Sequence, residues 1–279
     1  MVEFVSDVFV HRFLQYALLT GLLAGIACGV IGSYVVTRRI TYIAGGISHS
    51  VLAGMGAAGY LSAVHGCEWL SPLHGAVVAA LCAAMLIGYV SLHARQREDT
   101  VIGAVWAVGM AAGILFISKT PGYHEDLMSY LFGNILMVSS GDILLITLLD
   151  LVILTLVFAF YNQFLAVCFD EEFARIRGIR VEFFYLLLLC LTALTVVLLI
   201  TVVGIVMVIA LLTLPAAVAG QFSKKLWQMM ILSSILSSGF TTLGLAVSYG
   251  PDLPAGATTI LLAGAVYLAV TVGGRVFGK

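Results

Sequence analysis

One histidine in a run of small apolar residues is the first feature of the chain with chemistry in it. In "TRRITYIAGGISHSVLAG", residues 37–54, His49 stands ten residues past Arg39 and between Ser48 and Ser50. A helix running on from the arginines, at ~1.5 Å per residue, carries that imidazole about 15 Å along its axis. A neutral imidazole is a ligand for zinc, manganese or iron and releases the metal as its surroundings change. The competing reading is a histidine satisfied by a neighbouring carbonyl. Asp150, in "LITLLDLVILT", is the one acid deep in an apolar run. Such a residue marks a pathway or relay, or is hydrogen-bonded to another helix. Pro215, in "IALLTLPAAVAG", removes a helical hydrogen bond and is expected to kink or break its segment, as the helices that line substrate routes often are.

More polar groups lie between the apolar runs. "PGYHEDLMSYLFGN" holds His124, Glu125 and Asp126, and "HGCEWLSPLHG" holds His65, Glu68 and His74; with Asp252 in "YGPDLPAG" they offer metal ligands or docking charges, or simply solvated loop polarity. "FDEEFARIRGIR", residues 169–180, reads as a short amphipathic helix. Asp170, Glu171 and Glu172 at its start and arginines from Arg175 onward match the helix dipole, and Gly178 is placed to end it. Phe169, Phe173 and Ile176 recur at spacings of four and three. Such a helix offers a socket to a soluble partner, or lies flat on lipid.

The elements that must position these residues follow from composition. Hydrophobic residues make up 62% of the 279, charged residues 10%, and the mean hydropathy is +1.13, far outside the soluble globular range. The chain is therefore read as an all-α polytopic membrane bundle, since each apolar window approaches the ~20 residues that a helix needs to cross a bilayer. About nine spans (eight to nine) are expected, near 13–36, 45–64, 72–92, 100–117, 141–160, 183–201, 204–222, 227–248 and 257–274, as a single transmembrane domain over 1–279. The net charge of −1 points to no nucleic-acid partner, and five cysteines without CxxC spacing suggest neither a disulfide framework nor a thiolate cage. Residues 1–12 carry Glu3, Asp7 and Arg12 and do not read as a cleavable signal. Many of the 29 glycines fall inside spans at small-xxx-small spacing, as close helix packing requires.

Placing the Arg38/Arg39 turn in the cytoplasm puts eleven of the 13 basic residues on that side, leaving only Arg12 and Lys119 outside. The amino terminus is then outside, the carboxyl terminus inside, and residues 169–180 face the cytoplasm.

Six ordered stretches together resemble one family: "RRITYIAGGISHSVLAG", "REDTVIGAVWAVGMAAGILFIS", "DLMSYLFGNILMVSSGD", "FDEEFARIRGI", "VVGIVMVIALLTLPAAVA" and "SYGPDLPAGATTIL". The chain resembles the metal-type permeases of ATP-binding-cassette importers, which take up manganese, zinc or iron. That likeness implies a type II importer fold in the inner (cell) membrane of a bacterium. It also implies a pathway enclosed with a second copy or close paralogue, two cytoplasmic ATPase subunits, and an extracellular metal-binding lipoprotein that docks on the outer loops. The segment from Asp170 through Glu171, Glu172, Phe173, Ala174 and Arg175 to Gly178 matches the family's coupling helix. The permease itself is not an enzyme, binds no permanent cofactor, and uses ATP only through its partner; no Walker A loop occurs in the chain. In the commoner form of the family an aspartate stands one helical turn before the histidine; here that position is Gly45.

A second reading of different class is an autonomous secondary transporter or channel, with His49 and Asp150 as an ion relay. The 169–180 loop separates the two, because only the importer requires it to bind an ATPase.

Overall fold

The structure is a computed structural model and describes residues 2–67, 69–93, 98–121, 133, 135, 138–251 and 253–276. Among the described residues there are helices and no strands. In chain order they are α1 (Val2–Val10), α2 (Arg12–Thr37), α3 (Thr41–His65), α4 (Pro72–His93), α5 (Glu98–Lys119) and α6 (Ser140–Ala159). After these come α7 (Tyr161–Phe169), α8 (Glu171–Ile176), α9 (Val181–Val203), α10 (Ile205–Phe222), α11 (Leu226–Tyr249) and α12 (Ala255–Val276).

Eight of them are long and apolar enough to cross a membrane. The ninth long helix is α3, 25 residues or about 37 Å at the α-helical rise. Its five glycines, three serines and two histidines keep it below the apolarity of the others. The chain is a multi-pass membrane protein; eight of the expected spans coincide with these eight helices, and the one expected at 45–64 falls on α3.

The chain divides into two compact units. The first comprises Met1–Thr37, Leu127–Phe158 and Leu198–Lys279. Here the glycine spacing of α2 finds its purpose. A Cβ at Gly29 would meet the Ser234 backbone and one at Gly25 the Ser238 backbone, while one at Gly21 would meet the Thr241 side chain, so three successive turns of α2 lie against α11, two of them against its backbone. The same hydroxyls donate across the contact, Ser234 Oγ to the Ile26 carbonyl at 3.4 Å and Ser238 Oγ to the Leu22 carbonyl at 3.3 Å. In lipid, where apolar burial drives little helix association, such backbone approach and interhelical hydrogen bonding hold helices together. Gly29→Leu is therefore expected to prevent the folded protein from accumulating, because its side chain would have to displace the Ser234 backbone as well as the Ser234 hydroxyl. Size-exclusion chromatography of the detergent-extracted variant checks this, with Gly239→Leu, whose Cβ meets nothing within 4 Å, running as wild type.

Pro215 sits buried inside α10, and the helix runs unbroken from Ile205 to Phe222 across it. The interruption near this span falls at its start. Gly204, at φ 79°, is the single residue between α9 and α10, a conformation that only glycine adopts without strain.

The second unit comprises Arg38–Asp126 and Ala159–Val197. Its centre is α3, packed against α4 and α5. Every residue from Ile43 to Leu52 is buried. Glycines again set the spacing: Gly54 of α3 and Gly75 of α4 face each other's carbonyl, and Cβ atoms built on Gly109 and Gly113 of α5 would fall 2.6 Å from Ser50 Cα and from the Leu52 carbonyl carbon. Such an approach fixes the register of α3 against both neighbours.

Candidate functional site: a buried imidazole and a capped polar helix

His49 is held in place by its own helix and by one ring from α5. Its Nδ1 lies 2.9 Å from the Gly45 carbonyl, one turn back. A carbonyl only accepts, so Nδ1 of the neutral ring carries the proton and donates, and Nε2 keeps its lone pair. The ring stacks on Trp106, with centroids 4.2 Å apart and planes 24° apart. Trp106 also meets Tyr42, at 5.9 Å between centroids, so residues 42, 45 and 49 share the helix face that this indole covers. Gly45 belongs to that face because it leaves room: a Cβ there would touch only Trp106 Cζ3, at 3.6 Å, an ordinary contact.

The flanking serines turn inward on their own helix. Ser48 Oγ donates to the Ala44 carbonyl at 2.8 Å and Ser50 Oγ to the Ile47 carbonyl at 2.7 Å. Each hydroxyl spends its proton on the backbone, as serines in apolar helices do, and keeps only lone pairs for anything else. The arrangement leaves one uncommitted nitrogen donor, Nε2 of His49, amid satisfied polar groups and aromatic carbon. Among the described residues no group of three or more histidine, cysteine, aspartate or glutamate side chains is placed to hold a metal ion.

Asp150 is in the other unit, on α6. It is 4% exposed, and neither carboxylate oxygen has a hydrogen-bond partner among the described residues. The Cys28 thiol of α2 lies within its electrostatic reach. His124, Glu125, Asp126 and Asp252 fall outside the described residues, as does Glu68. His65 and His74 are described; His74 Nδ1 makes a 2.7 Å hydrogen bond with Ser71 Oγ in its own turn.

The 169–180 segment forms α8 with the caps its residue types require. Asp170 is the N-cap, its carboxylate accepting from the Phe173 N–H at 2.9 Å. At the other end Gly178 takes φ 76°, the Gly178 N–H reaches the Arg175 carbonyl at 3.0 Å, and the Ile179 N–H reaches the Ala174 carbonyl at 3.0 Å. This pair of bonds closes a helix only when a left-handed residue follows it. Ala174 is fully buried, whereas Phe169, Phe173 and Ile176 are 66%, 49% and 85% exposed. The helix therefore presents the apolar stripe that its spacing predicts, next to an open 570 Å³ groove lined by Asn162, Leu165, Phe169, Asp170, Phe173 and Arg177.

Charged contacts fasten α8 to the unit beneath. Glu171 pairs with Arg38, and Arg175 pairs with Glu182 of α9 at 2.7 Å. Cys168, at the end of α7, is filler under this layer. Burial pushes its thiol up to about 12, with the Arg38 charge opposing, so it stays protonated and unreactive at neutral pH.

Trp106, Tyr42, Arg38 and Tyr185 are the residues that sequence reading does not assign to a site. A lone indole among small residues in "VIGAVWAVGMAAG" is a signal for Trp106. The partners of Arg38 are distant in sequence and leave no local pattern.

Long apolar helices closely packed through glycine, the buried imidazole of His49 and a capped polar helix outside the spans define a polytopic membrane permease. The chain belongs to the ABC 3 transport family, whose match covers residues 10–273. Members of this class are membrane subunits without enzymatic activity, and the ATPase lies in separate subunits. The membrane protein slr2045 of Synechocystis, itself uncharacterised, is 42% identical over 268 residues, 96% of this chain and 93% of that protein. The manganese transport system membrane protein MntC of Listeria monocytogenes is 34% identical over 264 residues, 95% of this chain and 91% of its own length. Among solved structures, PsaBC from Streptococcus pneumoniae in complex with Fab matches with a TM-score of 0.85 at 33% identity, covering 96% of this chain and 94% of that one.

Proposed function

We propose that this chain is the membrane-spanning permease of an ATP-driven importer of a divalent transition metal: manganese, zinc or iron. Two copies, or this chain and a paralogue, enclose the pathway. An extracellular metal-binding lipoprotein delivers the ion, and two cytoplasmic ATPase subunits dock on α8. The amino terminus is outside and the carboxyl terminus inside, the orientation that the distribution of lysine and arginine favours.

The observation that carries the proposal is His49, a buried imidazole with Nδ1 committed to the Gly45 carbonyl, in a chain that matches a transport family along nearly its whole length. The name of the Listeria relative adds support for a metal cargo. A lone nitrogen donor is a modest ligand. It contacts a passing ion and lets it go, as a transporter requires, and it serves zinc, manganese and iron alike. Asp150 and Pro215 are assigned to the same pathway as intramembrane polar and backbone features of the other unit. Uptake competition among the three metals in proteoliposomes holding the whole complex tests the assignment. Saturable, ATP-dependent uptake of at least one metal is expected, and its absence for all three refutes it.

The Gly45 position makes a second expectation. Gly45→Asp sets a carboxylate one turn from the imidazole, in space where the Cβ makes only an ordinary contact. Carboxylate oxygen suits manganese better than it suits zinc. The variant is expected to shift competition toward manganese by about tenfold, the size of effect that one supporting ligand commonly has. An unchanged manganese-to-zinc ratio would mean that the pathway does not discriminate at this turn.

A further inference from the structure

We propose that Arg38 is a positioning residue that ties the coupling helix α8 to the start of α3, and through α3 to His49. The inference rests on the reading of α8 as the ATPase-docking element and adds how its movement reaches the pathway.

The start of α3 is unusually dependent on outside support. Its N-cap position is Ile40, which offers no side-chain hydrogen bond, and Arg39 before it holds a left-handed φ of 61°. A helix beginning in this way lacks the local bond that normally fixes its first turn. Arg38 supplies the fixing instead. Its guanidinium pairs with Glu171 in the first turn of α8 and lies 5.4 Å from the centroid of the Tyr185 ring on α9. The Tyr185 hydroxyl in turn meets Ser91 Oγ of α4 at 3.1 Å. One side chain at the head of α3 thus touches α8 and α9 and reaches α4 through a single hydroxyl.

The geometry suits transmission better than stability. The paired side chains are 23% and 35% exposed, and such pairs add little to folding. A 210 Å³ cavity lined by Arg38, Arg39, Tyr42, Ser91, Asp99 and Tyr185 lies beside the guanidinium and gives it room to move. Past Ile40, α3 is continuous to His65, so a displacement of its first turn is carried as a rigid unit through the two turns to His49. Arginine is needed because its planar group can pair with a carboxylate and lie over a ring at once; a lysine ammonium has no plane to share between the two.

The test uses the assembled importer in proteoliposomes and compares wild type with Arg38→Ala, Glu171→Ala and the double variant. Two quantities are read: metal transported per ATP hydrolysed, and ATPase subunit retained on purification. Arg38→Ala is expected to keep the ATPase subunit and lose transport per ATP by about fivefold, the scale of a partly exposed ion pair. The double variant is expected to be no worse than the more severe single one, because the two residues act as one contact. A wild-type transport ratio in Arg38→Ala, additive losses in the double variant, or loss of the ATPase subunit from Arg38→Ala alone would each overturn the proposal. Failure of the reading beneath it looks different: a variant of Phe173 and Ile176 that keeps its ATPase subunit removes α8 from the docking site whatever Arg38 does.

Discussion

His49→Ala is expected to lower metal uptake by at least about tenfold while the complex still assembles, the loss reported when a metal contact or its support is removed. Nδ1 is taken by the Gly45 carbonyl and the ring is stacked on Trp106, so among the described residues Nε2 is the uncommitted lone-pair donor on this part of α3. Removing the ring deletes that donor and leaves a space beside the indole. It does not orphan a buried partner, because the Gly45 carbonyl lies inside the helix and can accept from the His49 backbone N–H. The register of α3 is fixed elsewhere, by the glycine contacts with α4 and α5. Uptake should therefore fall without loss of the assembled species on size exclusion. His49→Gln, which keeps a polar group but not the imidazole, is expected to recover little. Normal uptake by the alanine variant would remove His49 from the pathway.

The second large effect is expected at α8. Replacing Phe173 and Ile176 with aspartate should abolish retention of the ATPase subunit. Each apolar side chain contributes about 1.5–3 kcal/mol when a partner buries it, so losing two weakens association by a hundredfold or more. Misfolding is not the route to that loss, since both side chains are exposed. The helix is closed by Asp170 at one end and Gly178 at the other, and both remain. A thermal melt of the detergent-solubilised variant should match wild type while the pull-down fails. A helix that only rests on lipid would give the opposite pattern, with association unaltered.

The spans were legible because hydrophobic length is a one-dimensional property, and α3 could be counted despite its glycines because its polar residues are few and flanked by apolar ones. The caps of α8 were legible because an N-cap acid and a left-handed glycine act within a few residues of each other. The small-xxx-small stripe on α2 announced close packing, but not that α11 answers it with hydroxyls at the facing positions. Trp106 against His49 and Arg38 against Glu171 were illegible for the same reason: each pair comes together through helix packing, and nothing in the local sequence of one names the other. Pro215 misleads in a milder way, since the neighbouring interruption is set by Gly204 and its left-handed φ. Asp150 and His49 stand out in the sequence for one reason, that both are rare intramembrane polar groups; Asp150 lies in the first compact unit and His49 in the second.

This permease is expected to pass a divalent metal only when an ATPase drives it. The most direct measurement is metal accumulation in proteoliposomes containing the whole complex, loaded with ATP or with a non-hydrolysable analogue. Accumulation against a gradient is expected with ATP, none with the analogue, and loss of the ATP-driven signal in His49→Ala. Equal uptake with the analogue, or uptake by the permease alone in response to an ion gradient, would contradict it and favour an autonomous transporter.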